Sequence, residues 1–93
     1  MNVTEAKKKI DKTGFANLTL FNDKDGYAVI GNVDKMTTKD GRVRLVWKLP
    51  KVTHTSSFVT AVIHDKTDVF WTDSIKPLRL DDNVKKFEVD WDV

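Results

Sequence analysis

Two stretches of this chain alternate apolar and charged residues, and their charges are opposite. Residues 42–48 read R-V-R-L-V-W-K, and residues 85–93 read K-K-F-E-V-D-W-D-V. Successive side chains on a strand point to opposite sides, so period-two alternation marks a strand with one buried face. In the first stretch Arg42, Arg44 and Lys48 share a face, with Trp47 on the other. In the second, Glu88, Asp90 and Asp92 share a face, with Phe87, Val89 and Trp91 behind them. Placed in one sheet, the cations lie across from the carboxylates and both tryptophans enter one core. Opposite charges across a strand pair favour that register, and charged edges discourage aggregation. The alternative leaves the two strips apart, one as a basic surface and one as an acidic surface.

The rest of the chain is read around this pair. At 93 residues, 40% hydrophobic and with nine aromatics (Trp 3, Tyr 1, Phe 5), it suffices for one small domain, 1–93, with a single core. Residues 2–12 read as a helix. Asn2 and Glu5 have capping-box spacing, Val3, Ala6 and Ile10 share a face, and Gly14 suits the turn that ends it. After Gly14 the period falls to two. Residues 15–49 form a three-stranded meander whose two loops both end in Lys-Asp-Gly, with Gly26 and Gly41 expected at positive φ. A three-residue loop with a glycine bulge sets Phe21 opposite Val29 and Leu20 opposite Ile30. It also sets Val33 opposite Trp47 and Asn32 opposite Lys48. One face then gathers Phe21, Val29, Val33, Val43, Leu45 and Trp47. The other carries Leu18, Leu20, Ala28 and Ile30, with the helix as their lid. Residues 58–93 form a second strand group: 58–64, 69–72, at most a short strand at 78–80, and 85–93, with D-S-I-K-P as a connector. The fold class is mainly β (α+β). A short N-terminal helix packs on a curled five- to six-stranded antiparallel sheet or small barrel, OB-like or SH3-like in character.

Several chemistries are weighed against this frame. In Asp23-Lys24-Asp25-Gly26, glycine at the sixth position of a calcium loop puts Phe21 at the first, where a carboxylate is required, so the stretch reads as a turn. His54 and His64 stand ten residues apart without Glu or Cys beside either, and read as structural histidines. Ser56 and Ser57 lack the strained elbow of a nucleophile, and the four glycines form no phosphate-cradling run. Asp81 and Asp82 read as a solvated turn rather than as acid–base partners of Glu88. The expectation is no catalytic, cofactor or metal site. The absence of cysteine removes disulfides and thiolate ligands. No stretch reaches membrane-helix length and no leader is evident, which points to a cytoplasmic chain.

What remains is binding. The leading expectation is a non-enzymatic module that binds a protein, including as a stoichiometric inhibitor, through Phe70, Trp71, Glu88, Asp90 and Asp92. Adjacent aromatics on a strand face opposite ways, and an exposed Trp is a common interface anchor. The alternative is a nucleic-acid-binding small barrel using Arg42, Arg44, Lys48 and Lys51, joined by Lys7 and Lys8, with Lys9 beside them. A net charge of +2 gives it no independent support, and Trp47 lies on the face away from the cations, unlike a base-stacking platform. A second alternative is an assembly subunit that donates the strand 85–93 to a neighbour.

Overall fold

The computed structural model describes residues 3–14, 16–81 and 83–92, with backbone alone for Val3 and Asp92. Asn2, Phe15 and Asp82, which carry the expected cap, strand start and turn, fall outside the described residues. One helix, α1 (Val3–Thr13), precedes six strands: β1 (Asn17–Phe21), β2 (Ala28–Lys39), β3 (Arg42–Lys48), β4 (Phe58–His64), β5 (Val69–Leu78) and β6 (Lys86–Asp92). All neighbours pair antiparallel in the order β5-β4-β1-β2-β3-β6. The sheet curls into a half-barrel with the core on its inner side. No helix among the described residues is long and apolar enough to cross a membrane.

The expected pairing of the two charged strands is present. β3 and β6 run side by side with Trp47 opposite Phe87, Leu45 opposite Val89 and Val43 opposite Trp91. Trp47, Leu45, Val43 and Trp91 are buried together with Leu18, Leu20, Phe58 and Ile63. Among the described residues the buried indole N–H groups of Trp47 and Trp91 have no hydrogen-bond partner. These rings are therefore held by shape and apolar contact.

Both Lys-Asp-Gly loops place glycine at positive φ, Gly26 at 72° and Gly41 at 74°. They differ in length, however. Asp40 also has positive φ, 52°, so Asp40-Gly41 is a two-residue type I′ turn with Lys39 opposite Arg42. The residue saved there returns as a bulge at Asp34, between Val33 and Lys35. Beyond the bulge the expected pairs Val33–Trp47 and Asn32–Lys48 hold. The first loop is one residue longer than expected. Asn22 N–H reaches the Tyr27 carbonyl at 2.8 Å, Phe21 faces Ala28 and Leu20 faces Val29. That single step moves Leu18 and Leu20 to the core face with Val29 and Trp47, and turns Phe21 and Ile30 outward. Ala6 and Ile10 of the helix join Leu18 and Leu20 in one buried cluster, and Ile30 stays in solvent. D-S-I-K-P is also strand: β5 runs through it, with Pro77 tolerated because β5 is an edge.

Two contacts position these layers. Gly31 lies where β3 leaves the sheet. A Cβ built there would stand 2.9 Å from the Lys48 carbonyl oxygen and 3.2 Å from Leu49 Cδ2. The helix buries Ala6 and Ile10 and ends at Gly14, whose N–H meets the Ile10 carbonyl at 2.7 Å. It is tied to the β4–β5 turn by Lys9. The ammonium lies 3.1 Å from Asp65 Oδ2, bonds Asp68, and sits 5.3 Å above the Phe70 ring. Asp65 accepts the backbone N–H groups of Thr67 at 2.7 Å and Asp68 at 2.8 Å. Those two bonds, then Lys9, hold its carboxyl far below the usual range. Bonds from Asp68 and then Asp65 raise Lys9.

Gly31→Ala should cost roughly 1–3 kcal/mol, the usual penalty for a side chain forced against fixed neighbours. The expected readout is a lower urea midpoint, and an unchanged midpoint would refute the close approach. Acid should test the Asp65 turn. A carboxyl with a depressed folded pKa stabilises above its unfolded value of about 3.9, and loses that contribution as pH falls toward the folded one. Asp65→Asn should therefore be less stable at neutral pH yet lose less between pH 5 and 2 than the wild type, in urea titrations across that range. Parallel curves would count against the turn as an acid-sensitive element.

Candidate functional site

Sequence alternation on β3 and β6 projects one row of side chains outward, and the register pairs Arg42 with Asp92, Arg44 with Asp90, Val46 with Glu88 and Lys48 with Lys86. Arg44 and Asp90 form a two-pronged ion pair, Nε to Oδ1 at 2.8 Å and Nη2 to Oδ2 at 3.2 Å. The hydrogen bond, then the charge of Asp90, raises the guanidinium, and Arg44 in turn holds Asp90 below the usual carboxylate range. Arg44 thus meets an expected carboxylate, and Arg42 stands opposite Asp92 in the register. The opposite number of Lys48 is another lysine.

The expected site residues separate accordingly. Phe70 is buried in the core under Lys9 and Trp71 is half-buried against it, so neither stands out as a partner anchor. The reason is a bulge: Ile63 faces Trp71 and His64 faces Val69, so Phe70 falls between paired positions and turns inward. Glu88 is exposed, Asp90 is engaged by Arg44, and Asp92 is known by its backbone position opposite Arg42. Among the expected nucleic-acid contacts, Lys7 pairs with Asp11 at 3.5 Å one helical turn on, and Lys8 is exposed on α1. The structure does not gather Lys7 and Lys8 with the β3 cations. Lys48 and Lys51 are exposed and line a hollow of about 500 Å³ with Leu49, Pro50, Val84 and Lys85. Lys85 and Lys86 precede the acidic residues of β6 in sequence, but in the ladder Lys86 lies at the end that carries Lys48.

Both histidines are fully engaged. His64 Nδ1–H points at the Asp65 carbonyl, 3.1 Å, leaving Nε2 to accept the Thr19 hydroxyl at 2.6 Å. His54 Nδ1 accepts Ser56 N–H at 3.2 Å, so Nε2–H faces Asp25 Oδ2 at 3.2 Å, with the ring stacked on Tyr27 at 4.5 Å. These contacts fasten loops. Among the described residues no group of three or more His, Cys, Asp or Glu is placed to hold a metal ion.

The outer face of the central strands carries a different feature. Ile30 is 58% exposed and Phe21 40% exposed. Ile30 faces Thr19, two residues from Phe21 on the same side of β1, so the two are diagonal neighbours about 7–8 Å apart. Ala28 and the half-buried Val62 flank them. The register Leu20–Val29 and Phe21–Ala28 is what exposes this patch. No family model, curated protein or solved structure matches the chain.

The Arg44–Asp90 pair is open to a charge-swap experiment. Arg44→Glu should lower the thermal midpoint, and adding Asp90→Arg should recover part of the loss, less so in high salt. Additive effects of the two changes would mean that the pair contributes nothing.

Proposed function

We propose that the protein is a non-enzymatic binding module whose partner is another protein, docked on the outer face of β1 and β2. The observation that carries this reading is the exposed Ile30–Phe21 patch on the central strands of the sheet. A sheet with one face in the core normally turns polar residues outward on the other. Here Phe21, Ala28, Ile30 and Val62 stand around Thr19 on that face, which leaves isoleucine in water unless something covers it. A rigid β face around such a patch loses little order on binding.

The nucleic-acid alternative draws less support. Arg44 is already occupied by Asp90, and Trp47, the aromatic nearest the cations in sequence, lies in the core. Strand donation from β6 draws less still, since that edge presents Glu88 and Asp90 to an incoming strand.

Ile30→Asp provides the test. The side chain is exposed, so the thermal midpoint should move little, within the roughly 0.5 kcal/mol typical of surface changes. Tagged wild-type and Ile30→Asp proteins are used as parallel baits in extract from the source cells. The expected result is one protein retained in stoichiometric amount by the wild type and lost from the variant. Identical retention by both, or retention of nucleic acid instead, would overturn the proposal.

A further inference from the structure

The β3–β6 ladder has two halves of different character. At the turn-proximal end the outer row matches Arg42 to Asp92 and Arg44 to Asp90. At the far end the same row sets Lys48 directly against Lys86. Like charges opposite one another in a sheet are destabilising, and a carboxylate at either position would remove the repulsion. Beyond this pair β3 and β6 diverge, pinned at the fork by Leu49 N–H on the Lys85 carbonyl at 2.9 Å. The fork opens into the hollow of about 500 Å³. That volume falls within the roughly 300–1,000 Å³ of ordinary ligand sites. Lys51 and Lys85 stand on its rim with Lys48. Among the described residues none of Lys48, Lys51, Lys85 and Lys86 has an ion-pair partner. One carboxylate, Asp81, stands in the wall, and its Oδ1 accepts Asn83 N–H at 2.8 Å.

We infer that this hollow receives an acidic polypeptide segment of the partner, with an apolar side chain seated on Pro50 and Val84 and carboxylates held by Lys48, Lys51, Lys85 and Lys86. This rests on the protein-binding reading above and extends it. The hollow adjoins the apolar patch, because Asn32 pairs with Lys48 and Ile30 lies two residues from Asn32 on the same face, about 7 Å along the strand. Charge complementarity selects an anion. The choice of peptide over nucleic acid comes from the walls. The floor is aliphatic and offers no aromatic face for base stacking. Asp81 Oδ1 is taken by Asn83 N–H within the chain, and its other oxygen can accept a peptide amide, a donor that a phosphodiester backbone lacks.

The test uses three fluorescent probes: a glutamate-rich peptide with one central leucine, the same peptide with alanine at that position, and an oligo-dT of similar length. Anisotropy is read at low and physiological salt. The leucine peptide should bind, the alanine peptide several-fold more weakly, and oligo-dT more weakly than either. Lys86→Glu should weaken the leucine peptide by about tenfold or more. It should also raise the thermal midpoint, because it replaces a repulsive pair with an attractive one, so lost binding cannot be blamed on misfolding. Equal or tighter oligo-dT binding, no peptide binding, affinity unchanged in Lys86→Glu, or a lowered midpoint would each overturn the inference. Ile30→Asp separates the two claims. A captured protein partner that depends on Ile30 but not on Lys86 leaves the binding module standing and removes the acidic segment from the hollow. Loss of capture in neither variant removes the patch itself.

Discussion

Burial of Trp47 is the constraint on which the other parts depend. Its ring is fully enclosed, its N–H finds no acceptor among the described residues, and its position on β3 fixes which side of that strand faces inward. Once Trp47 is inside, Leu45 and Val43 follow by alternation, and β6 must bring Phe87, Val89 and Trp91 to meet them. Arg44 and Asp90 then reach each other outside as a consequence of that register. The ion pair is exposed, so its larger role is to penalise slips: moving β6 by one residue would put carboxylates among indoles. Hydrophobic burial supplies the drive and charge supplies the selectivity.

That division of labour explains what was legible in the sequence. The β3–β6 pairing, the limits of β4 and the glycines at positive φ are read correctly, because each rests on a strong local pattern with one buried face or one special backbone position. The first hairpin differs from its sequence expectation by one residue. L-T-L-F and A-V-I are apolar at consecutive positions, so neither alternation phase is excluded, and loop length alone decided the register. The two Lys-Asp-Gly tripeptides closed loops of different length, since the same three residues suit either. The missing residue reappears as the Asp34 bulge, which tertiary packing around Val33 and Trp47 places and no local sequence announces. β5 ran on through D-S-I-K-P because an edge strand tolerates proline and exposed polar residues.

That one-residue difference also hid the functional candidate. With Phe21 on the core face, the sequence pattern groups Leu18, Leu20, Ala28 and Ile30 under the helix, so it leaves no apolar patch in solvent and Phe70 and Trp71 stand as the candidate anchors. Phe70 is drawn into the core by a bulge in β5. A one-residue change in a loop therefore exchanges which aromatic is structural and which is available. In half-buried sheets, the surface is specified by the same register that specifies the core, so errors in one are errors in the other.

The uneven charge along β3 and β6 follows the same logic. A ladder needs complementary charges only where they protect the register, and near the type I′ turn Arg42 and Arg44 do so. At the fork the strands part, register is no longer at stake, and Lys48 and Lys86 confer no structural advantage. Like charges stand opposite there, an arrangement that disfavours the pair, while the neighbouring positions carry carboxylates. Such a local departure from an otherwise consistent pattern is what the proposed binding of an acidic segment would account for. Its adjacency to Ile30 makes one continuous face, apolar at the centre and cationic at one side, out of two features that the sequence keeps far apart.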